Sequence, residues 1–295
     1  MLLAVPNVSE GRDLERVARI GSAFGGEREL LLDTHSDPDH NRSVFTSAAE
    51  PAELVELLAG GAAAVVDEID MRHHLGVHPC IGSLDVCPLV WLDPADRESA
   101  AAAALETAER IAALGVPVFL YGDLASGPGR RERSFFRRGG LTELLMRMGT
   151  GELASDRGPA APHPTAGAAL VTARAPLAAF NVGLDSSDAN VARSVAAQLR
   201  EGGGGLAGVR AIGLALADGR TQVSTNVEDP AAVPLGRVVS EVRRLAGRHG
   251  AAPRTAEIVG LVPEAALDGY PGDVPLVGFD SDRHVIERRL EARRG

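Results

Sequence analysis

The sequence predicts an α/β protein of the α+β kind: two ferredoxin-like βαββαβ lobes, each a mostly antiparallel sheet with helices on one face, forming a groove. Three observations predict it. Strand and helix signals run in the order βαββαβ twice, which is the split unit of the ferredoxin-like motif. The 295 residues suit about two domains of roughly 150 residues each. A few residues also repeat at fixed spacing. Asn7-Val8 and Val17-Ala18-Arg19 match Asn181-Val182 and Val191-Ala192-Arg193, while Val44, Thr46 and Pro51 match Val223, Thr225 and Pro230. On this reading the lobes are residues 1–170 and 171–295.

The first unit opens with LLAVPNV as an extended segment. Leu14, Val17, Ala18, Gly21 and Phe24 then recur at helical spacing. LLLDT and RSVFTSA are short β-branched or apolar runs separated by the turn-rich DPDHN. Pro51 suits the first position of a helix carrying Leu54, Leu57, Leu58 and Val65, and SLDVCPLV is the closing strand. The second unit repeats the order. APLAAFNV is extended, and Val191, Val195 and Leu199 mark a helix face. VRAIGLAL and TQVSTNV flank the Asp-Gly turn of ADGR. Pro230 is expected to open a helix through Leu235, Val238, Val239, Val242 and Leu245, with AEIVGLV as the last strand. Between the units lie an Ala-rich helix at 96–114, the strand VPVFLYG, an Arg-rich helical segment at 130–149 and a Pro/Gly/Ala linker at 151–168.

Composition narrows the chemistry. Hydrophobic content is 45% and charged content 24%, ordinary for a globular protein whose core needs no staples. Only Cys80 and Cys87 are present, which excludes a disulfide framework and suits a reducing compartment. The start MLLAVPNVSEGR lacks a basic n-region and long apolar run, and no apolar stretch reaches the roughly 20 residues that span a bilayer. A cytoplasmic protein without a membrane partner is expected. The net charge of −10 argues against a nucleic-acid partner. Every basic residue is Arg, so Schiff-base chemistry and a Walker-A lysine are absent, while bidentate capture of carboxylates remains open. Genomic base composition is an equally good cause of the all-Arg usage.

The densest polar stretch is MRHHLGVHPCIGSLDVCPLV. His73 and His74 suit a role in satisfying the end of the preceding helix. A metal site built from His35, His40, His73 and His78 would explain the histidines, but the spacing fits neither C-x-x-C nor H-E-x-x-H, and no metal is expected. His78 lies in a Gly-Val-His-Pro-Cys-Ile-Gly loop, where Pro79 restricts the backbone before it. An imidazole presented in this way suits proton transfer near neutral pH. The residues alone leave a packing histidine and a catalytic one both open. THSDPDHNR gathers His35, Asp37, Asp39, His40, Asn41 and Arg42, either as a tight turn or as groups orienting a base or receiving an ammonium. RRERSFFRR concentrates five arginines, as a solvated helix face or as carboxylate ligands. GGGG at 202–205 reads as a flexible loop.

VPNVSEGR at 5–12, DPDHNRSVFT at 37–46, HPCIGSLDVCP at 78–88, PVFLYGD at 117–123, HPTAGAALVTAR at 163–174, FNVGLD at 180–185 and QVSTN at 222–226 together resemble the formiminotransferase family. The matches run in the family's order to about residue 267. The resemblance implies a stand-alone homodimeric transferase without the cyclodeaminase domain. It implies tetrahydrofolate as co-substrate, N-formimino-L-glutamate as donor and no permanently bound cofactor. His78 maps to the family's acid/base. Folate contacts map to Gly158, Pro159, His163, Pro164, Thr165 and Gly167, and to Gly204, Gly205, Val209, Arg210 and Gly213. Asp39, Asn41 and Tyr121, within the quoted motifs, complete the expected substrate contacts. Three positions depart from the pattern: Cys80 replaces an Arg, Val77 a Glu, and His35 an Asp that works with the catalytic His. A formyl donor, or folate binding without turnover, is therefore a further expectation.

Overall fold

Strand pairing follows the alternation of the sequence closely enough to place most side chains. The computed structural model describes residues 1–26 and 30–294. The chain folds as two units, Met1–Ala175 and Pro176–Gly295. The division falls after the expected 170/171 boundary, which would cut a strand.

In the first unit, β1 (Leu2–Ala4) and β2 (Asn7–Val8) are two halves of one strand broken at Val5-Pro6. Asp13 caps α1 (Leu14–Gly25) by accepting from the Arg16 amide, and Val17, Ile20 and Phe24 form its buried stripe. β3 (Leu31–Asp37) and β4 (Arg42–Ala49) form a hairpin. Pro51 opens α2 (Pro51–Glu68), and β5 (Leu84–Trp91) closes the unit. The spatial order is β3-β4-β1/β2-β5, the ferredoxin-like arrangement. Pro88 has no N–H to give, and it sits opposite the Val5-Pro6 break, where the Val5 amide donates to its carbonyl.

The sheet then grows beyond the motif. α3 (Arg97–Ala113) carries the chain back so that β6 (Val118–Leu120) and β7 (Ala169–Arg174) run parallel to β5. The first sheet is therefore mixed and seven-stranded. Residues 169–174, not singled out as a strand from sequence, lie between β5 and β6, because parallel pairing buries them on both faces. Helices α1–α3 cover one face. On the other, α4 (Arg133–Arg137) and α5 (Gly140–Gly149) pack Phe136, Leu144 and Met148 against Ile81, Val86, Phe119 and Leu170.

The second unit is the plainer version. β8 (Ala178–Leu184), α6 (Ala189–Leu199), β9 (Val209–Ala215), β10 (Thr221–Val227), α7 (Leu235–Gly247) and β11 (Pro253–Ile258) give an antiparallel sheet ordered β11-β8-β10-β9. Two short helices, α8 (Ser281–His284) and α9 (Ile286–Arg294), follow.

Three expectations need correction. α7 begins after Pro234, not at Pro230, which lies in a turn. The gapless matches between lobes slip by one residue: Val44 and Thr46 point away from the helices, whereas Val223 and Thr225 stand on the strand face that packs against them. Asn7 pairs with Val44 and Asn181 with Ser224, which fixes the true correspondence. The Gly run is no loose loop either. Amides of Gly203, Gly204 and Gly205 bond back to Arg200 and Glu201, and a side chain at 203 or 205 would collide with α6 carbonyls.

Candidate active site

The site is built where the α2–β5 connection lies on the β3–β4 turn. Asp37 Oδ1 accepts from the amides of Asp39 and His40, closing an Asx turn. Asn41 continues it at φ 47°, a left-handed conformation that Asn tolerates. The Asn41 side chain ties two segments together. Its Oδ1 accepts from the Gly11 amide, and its Nδ2 donates to the Leu75 carbonyl and to His74 Nδ1. The Val77 amide donates to the Asp39 carbonyl, and a side chain at Gly76 would strike the His40 carbonyl. The loop carrying His78 is thus clamped onto the turn by backbone and amide contacts.

His78 Nε2 lies 2.8 Å from Arg42 Nη1. A guanidinium only donates, so Nε2 accepts and the ring proton sits on Nδ1. Nδ1 is sealed from solvent and has no hydrogen-bond partner among the described residues. Burial first, then the charges of Arg42, Arg137, His40 and Arg133, hold the imidazole pKa well below its ordinary 6.5. His78 is accordingly neutral at neutral pH. The His40 ring lies 5.7 Å from it, centroid to centroid.

Arginine dominates the surroundings. Arg42 is pushed down to about 9 by burial and by its neighbour Arg137, which still leaves it charged. Arg137, with a side chain only 10% exposed, bonds to buried Asp85, whose other oxygen accepts from the Ile81 amide. Arg133, one turn earlier on α4, is likewise pushed down by burial. Cys80 is a free thiol raised to about 11 by burial and by Asp85, and Cys87 is raised to about 12 by burial alone. Both stay protonated and weakly nucleophilic.

The expected site residues fall into groups. His78, Asp39 and Asn41 come together as described. His35 pairs with Val44 and so projects from the sheet face that also carries Arg42. Tyr121 is buried beside Arg133, packed with Phe119 and Phe136. His163, Thr165 and Gly167 form a tight hairpin whose ends exchange two backbone bonds, with Pro164 exposed at its tip. Gly167, at φ 72°, touches the Ile81 carbonyl so closely that no side chain fits, and this seats the hairpin against the strand that follows His78. Gly158 and Pro159 are exposed. In the second unit, Val209 is buried in the core, Gly213 makes room for α6, and Arg210 pairs with Glu201 and Glu228. Gly204 caps the short 3-10 turn at Glu201–Gly203 that follows α6, and the Gly205 amide donates to the Arg200 carbonyl.

His73 is exposed near Asp70, whereas His78 is half-buried. Among the described residues no group of three His, Cys, Asp or Glu side chains could hold a metal ion, so the four-histidine site is not assembled. No helix among them is long and apolar enough to cross a membrane. Sequence reading left Asp85 without a role, and it left Arg133 and Arg137 open between a solvated helix face and carboxylate ligands. The available signal was the i, i+4 spacing of Arg133 and Arg137 around Phe136.

Residues 1–174 match the family model described as the formiminotransferase domain, N-terminal subdomain, and residues 179–269 match the formiminotransferase domain. The chain belongs to the formiminotransferase family. It is 36% identical over 293 residues to a glutamate formimidoyltransferase of Thermoplasma acidophilum, covering 97% of this chain and 96% of that one. To a glutamate formimidoyltransferase of Streptococcus pyogenes serotype M1 it is 34% identical, covering 97% of each. A formimidoyltransferase-cyclodeaminase of Sus scrofa is 37% identical over 272 residues, 89% of this chain and 50% of that protein. Within this formiminotransferase, the position after His78-Pro79 is a protonated thiol, and the guanidinium bonded to the ring comes from Arg42 on β4.

Proposed function

We propose that this chain transfers the formimino group of N-formimino-L-glutamate to N5 of tetrahydrofolate, with His78 moving the proton. One observation carries the reading: a neutral histidine lies in a clamped loop, within a chain similar over 97% of its length to glutamate formimidoyltransferases. N5 attacks the amidine carbon to give a tetrahedral intermediate. His78 takes the N5 proton and returns a proton to the leaving glutamate nitrogen, so the ring ends as it began. No covalent adduct with the enzyme is needed, and orientation of the two substrates supplies much of the rate. The resting ring is a donor at Nδ1, so base function at Nε2 requires release of the Arg42 bond.

Folate is assigned to the hairpin segment 158–167 and to 204–213, with backbone carrying most contacts where glycine leaves no side chain. Asp39, Asn41 and Tyr121 are assigned to substrate contact, and the protein is assigned a homodimeric, cytoplasmic state. A formyl donor is the second reading, favoured by the uncharged Val77 and Cys80 that flank His78.

The test is turnover with tetrahydrofolate and either N-formimino-L-glutamate or N-formyl-L-glutamate, for wild type and His78→Ala in parallel. Formimino turnover that drops in the variant supports the first reading. Turnover of the formyl donor alone replaces it with the second, and folate binding without either turnover overturns both.

A further inference from the structure

Arg133 and Arg137 stand one helical turn apart on α4 and share a face. Between them Phe136 is fully buried against Phe119 and Phe135, which fixes how the helix lies. Arg137 gives one nitrogen to Asp85, while its Nε is sealed from solvent with no acceptor among the described residues. Arg42 Nε is in the same position, and so is Nδ1 of His78. The Arg133 guanidinium, half-buried and with its pKa lowered chiefly by burial, has no hydrogen bond or ion pair among the described residues. Against these cations stands the buried carboxylate of Asp85, already bonded to Arg137, and on Arg133 Tyr121 acts first, then Asp85 and more weakly Glu132.

A fold does not gain stability from this arrangement. Orphaned buried donors cost free energy, and a desolvated guanidinium without a counter-charge costs more. Sealed N–H groups and unpaired cations converging on one place call for an anionic acceptor that the chain itself does not supply.

We propose that Arg42, Arg133 and Arg137 form the seat of a substrate carboxylate, that of the amino-acid donor, beside the ring of His78. The proposal rests on the transfer reaction above. A carboxylate fits because its two oxygens match the planar fork of a guanidinium, and several forks can share one such group. The seat also links binding to chemistry. A carboxylate captured by Arg42 competes with His78 Nε2 for the same donor, and its arrival frees the lone pair that base function needs. After burial, the leading charges acting on the ring are those of Arg42, Arg137, His40 and Arg133, so an anion bound here also offsets charges that keep the ring from accepting a proton.

The experiment uses the full chain and the variants Arg133→Met and Arg133→Lys. Glutarate, a dicarboxylate without the transferable group, is the binding probe in calorimetry, and KM is measured separately for donor and tetrahydrofolate. Arg133→Met is expected to weaken glutarate and raise the donor KM by about tenfold to a hundredfold, the scale of a lost charge-assisted hydrogen bond. Arg133→Lys recovers part of the loss, and the tetrahydrofolate KM stays within about twofold. The melting temperature of Arg133→Met stays level or rises, because a partly desolvated cation without a partner has been removed; a structural arginine would show a fall instead. Unchanged glutarate binding and donor KM in both variants overturn the proposal while leaving the transfer reaction intact. A rise confined to the tetrahydrofolate KM overturns the donor assignment and gives the seat to the folate tail. Glutarate binding lost in Arg133→Met, in a wild type that does not turn over N-formimino-L-glutamate, upholds the seat and removes the reaction.

Discussion

The two lobes share one strand order and differ in what connects their second helix to their fourth strand. In the second lobe, residues 248–252 make that connection, a short turn from α7 into β11. In the first lobe residues 69–83 do so, and they hold His73, His74, His78 and Cys80 before β5 begins. The first lobe also extends past β5 through α3, β6, α4, α5 and β7, and α4 brings Arg133 and Arg137 to the added face. The second lobe keeps the motif without these additions: two helices on one face and an apolar core of Val, Leu and Ala. The site proposed for the first lobe thus joins the lengthened loop and the extension to the β3–β4 hairpin that both lobes share, with Arg42 on β4 bonded to His78.

The comparison breaks most visibly at His78. His78→Ala should lower turnover by about two to four orders of magnitude, the scale of lost acid–base catalysis, with little change in melting temperature. The parallel control is His249→Ala in the second lobe, whose exposed ring contacts Ser194 at the surface; its turnover should match wild type. Steady-state kinetics of both variants decides the matter, and equal losses would mean the lobes do not divide the work as described.

Rigidity is tested next, at close glycines in each lobe. A side chain at Gly213 would meet the backbone of Ala192 and Arg193 in α6, atoms that cannot step aside. At Gly61 it would meet the ring of Phe24, which is buried but can rotate or shift. Gly213→Ala should therefore cost more than Gly61→Ala, with both in the range of about 1–3 kcal/mol for overpacking. Urea denaturation with lobe-resolved hydrogen exchange measures it. The reverse ranking would show that Phe24 is held more firmly than a helix backbone.

Most of the fold could be read from the sequence because hydrophobic period and Pro/Gly punctuation are local signals. The helix at Pro51 and the hairpins around Asp37–Asn41 and Asp218-Gly219 formed where those signals stood. What escaped depended on distant partners. Residues 169–174 become a strand because β5 and β6 flank them, and nothing local in ALVTAR says so. Pro230 and Pro234 are equivalent as helix openers until the turn between β10 and α7 chooses. The one-residue slip between lobes arose because few identities cannot fix a face, whereas the Asn7–Val44 and Asn181–Ser224 pairs do. Around the candidate site, the loop that presents His78 could be read from its Gly and Pro residues, whereas the role of the ring could not. Arg133 and Arg137 stood open between a solvated helix face and carboxylate ligands, since only the packing of Phe136 turns them inward while Arg131 and Arg138 stay in water.

The smallest expected effect, and the one that separates the lobes by pH, concerns folding stability in acid. His78 has a folded pKa below its unfolded value near 6.5, chiefly from burial and then from Arg42. His74 is shifted the same way, again by burial first. Below 6.5 the unfolded chain therefore binds more protons than the folded one, so stability falls as pH falls. The loss begins near 6.5 and continues down through the depressed folded values. Carboxylates enter later. Glu10, despite the opposing effect of burial, is held below 4.5 by the Arg12 and Asp13 amides and by Arg16, and Glu241 in the second lobe is held below it by Arg244. Their contributions are lost only as pH falls below that value. Between 6.5 and 4.5 the destabilisation thus belongs to the first lobe, and below 4.5 both lobes share it. Hydrogen exchange of the two lobes at stepped pH should show protection declining first around residues 74–85. In His78→Gln that early decline should shrink, because the substituted amide has no proton to gain. If exchange in the two lobes accelerates together from pH 6.5, His78 is not what makes the first lobe sensitive to acid.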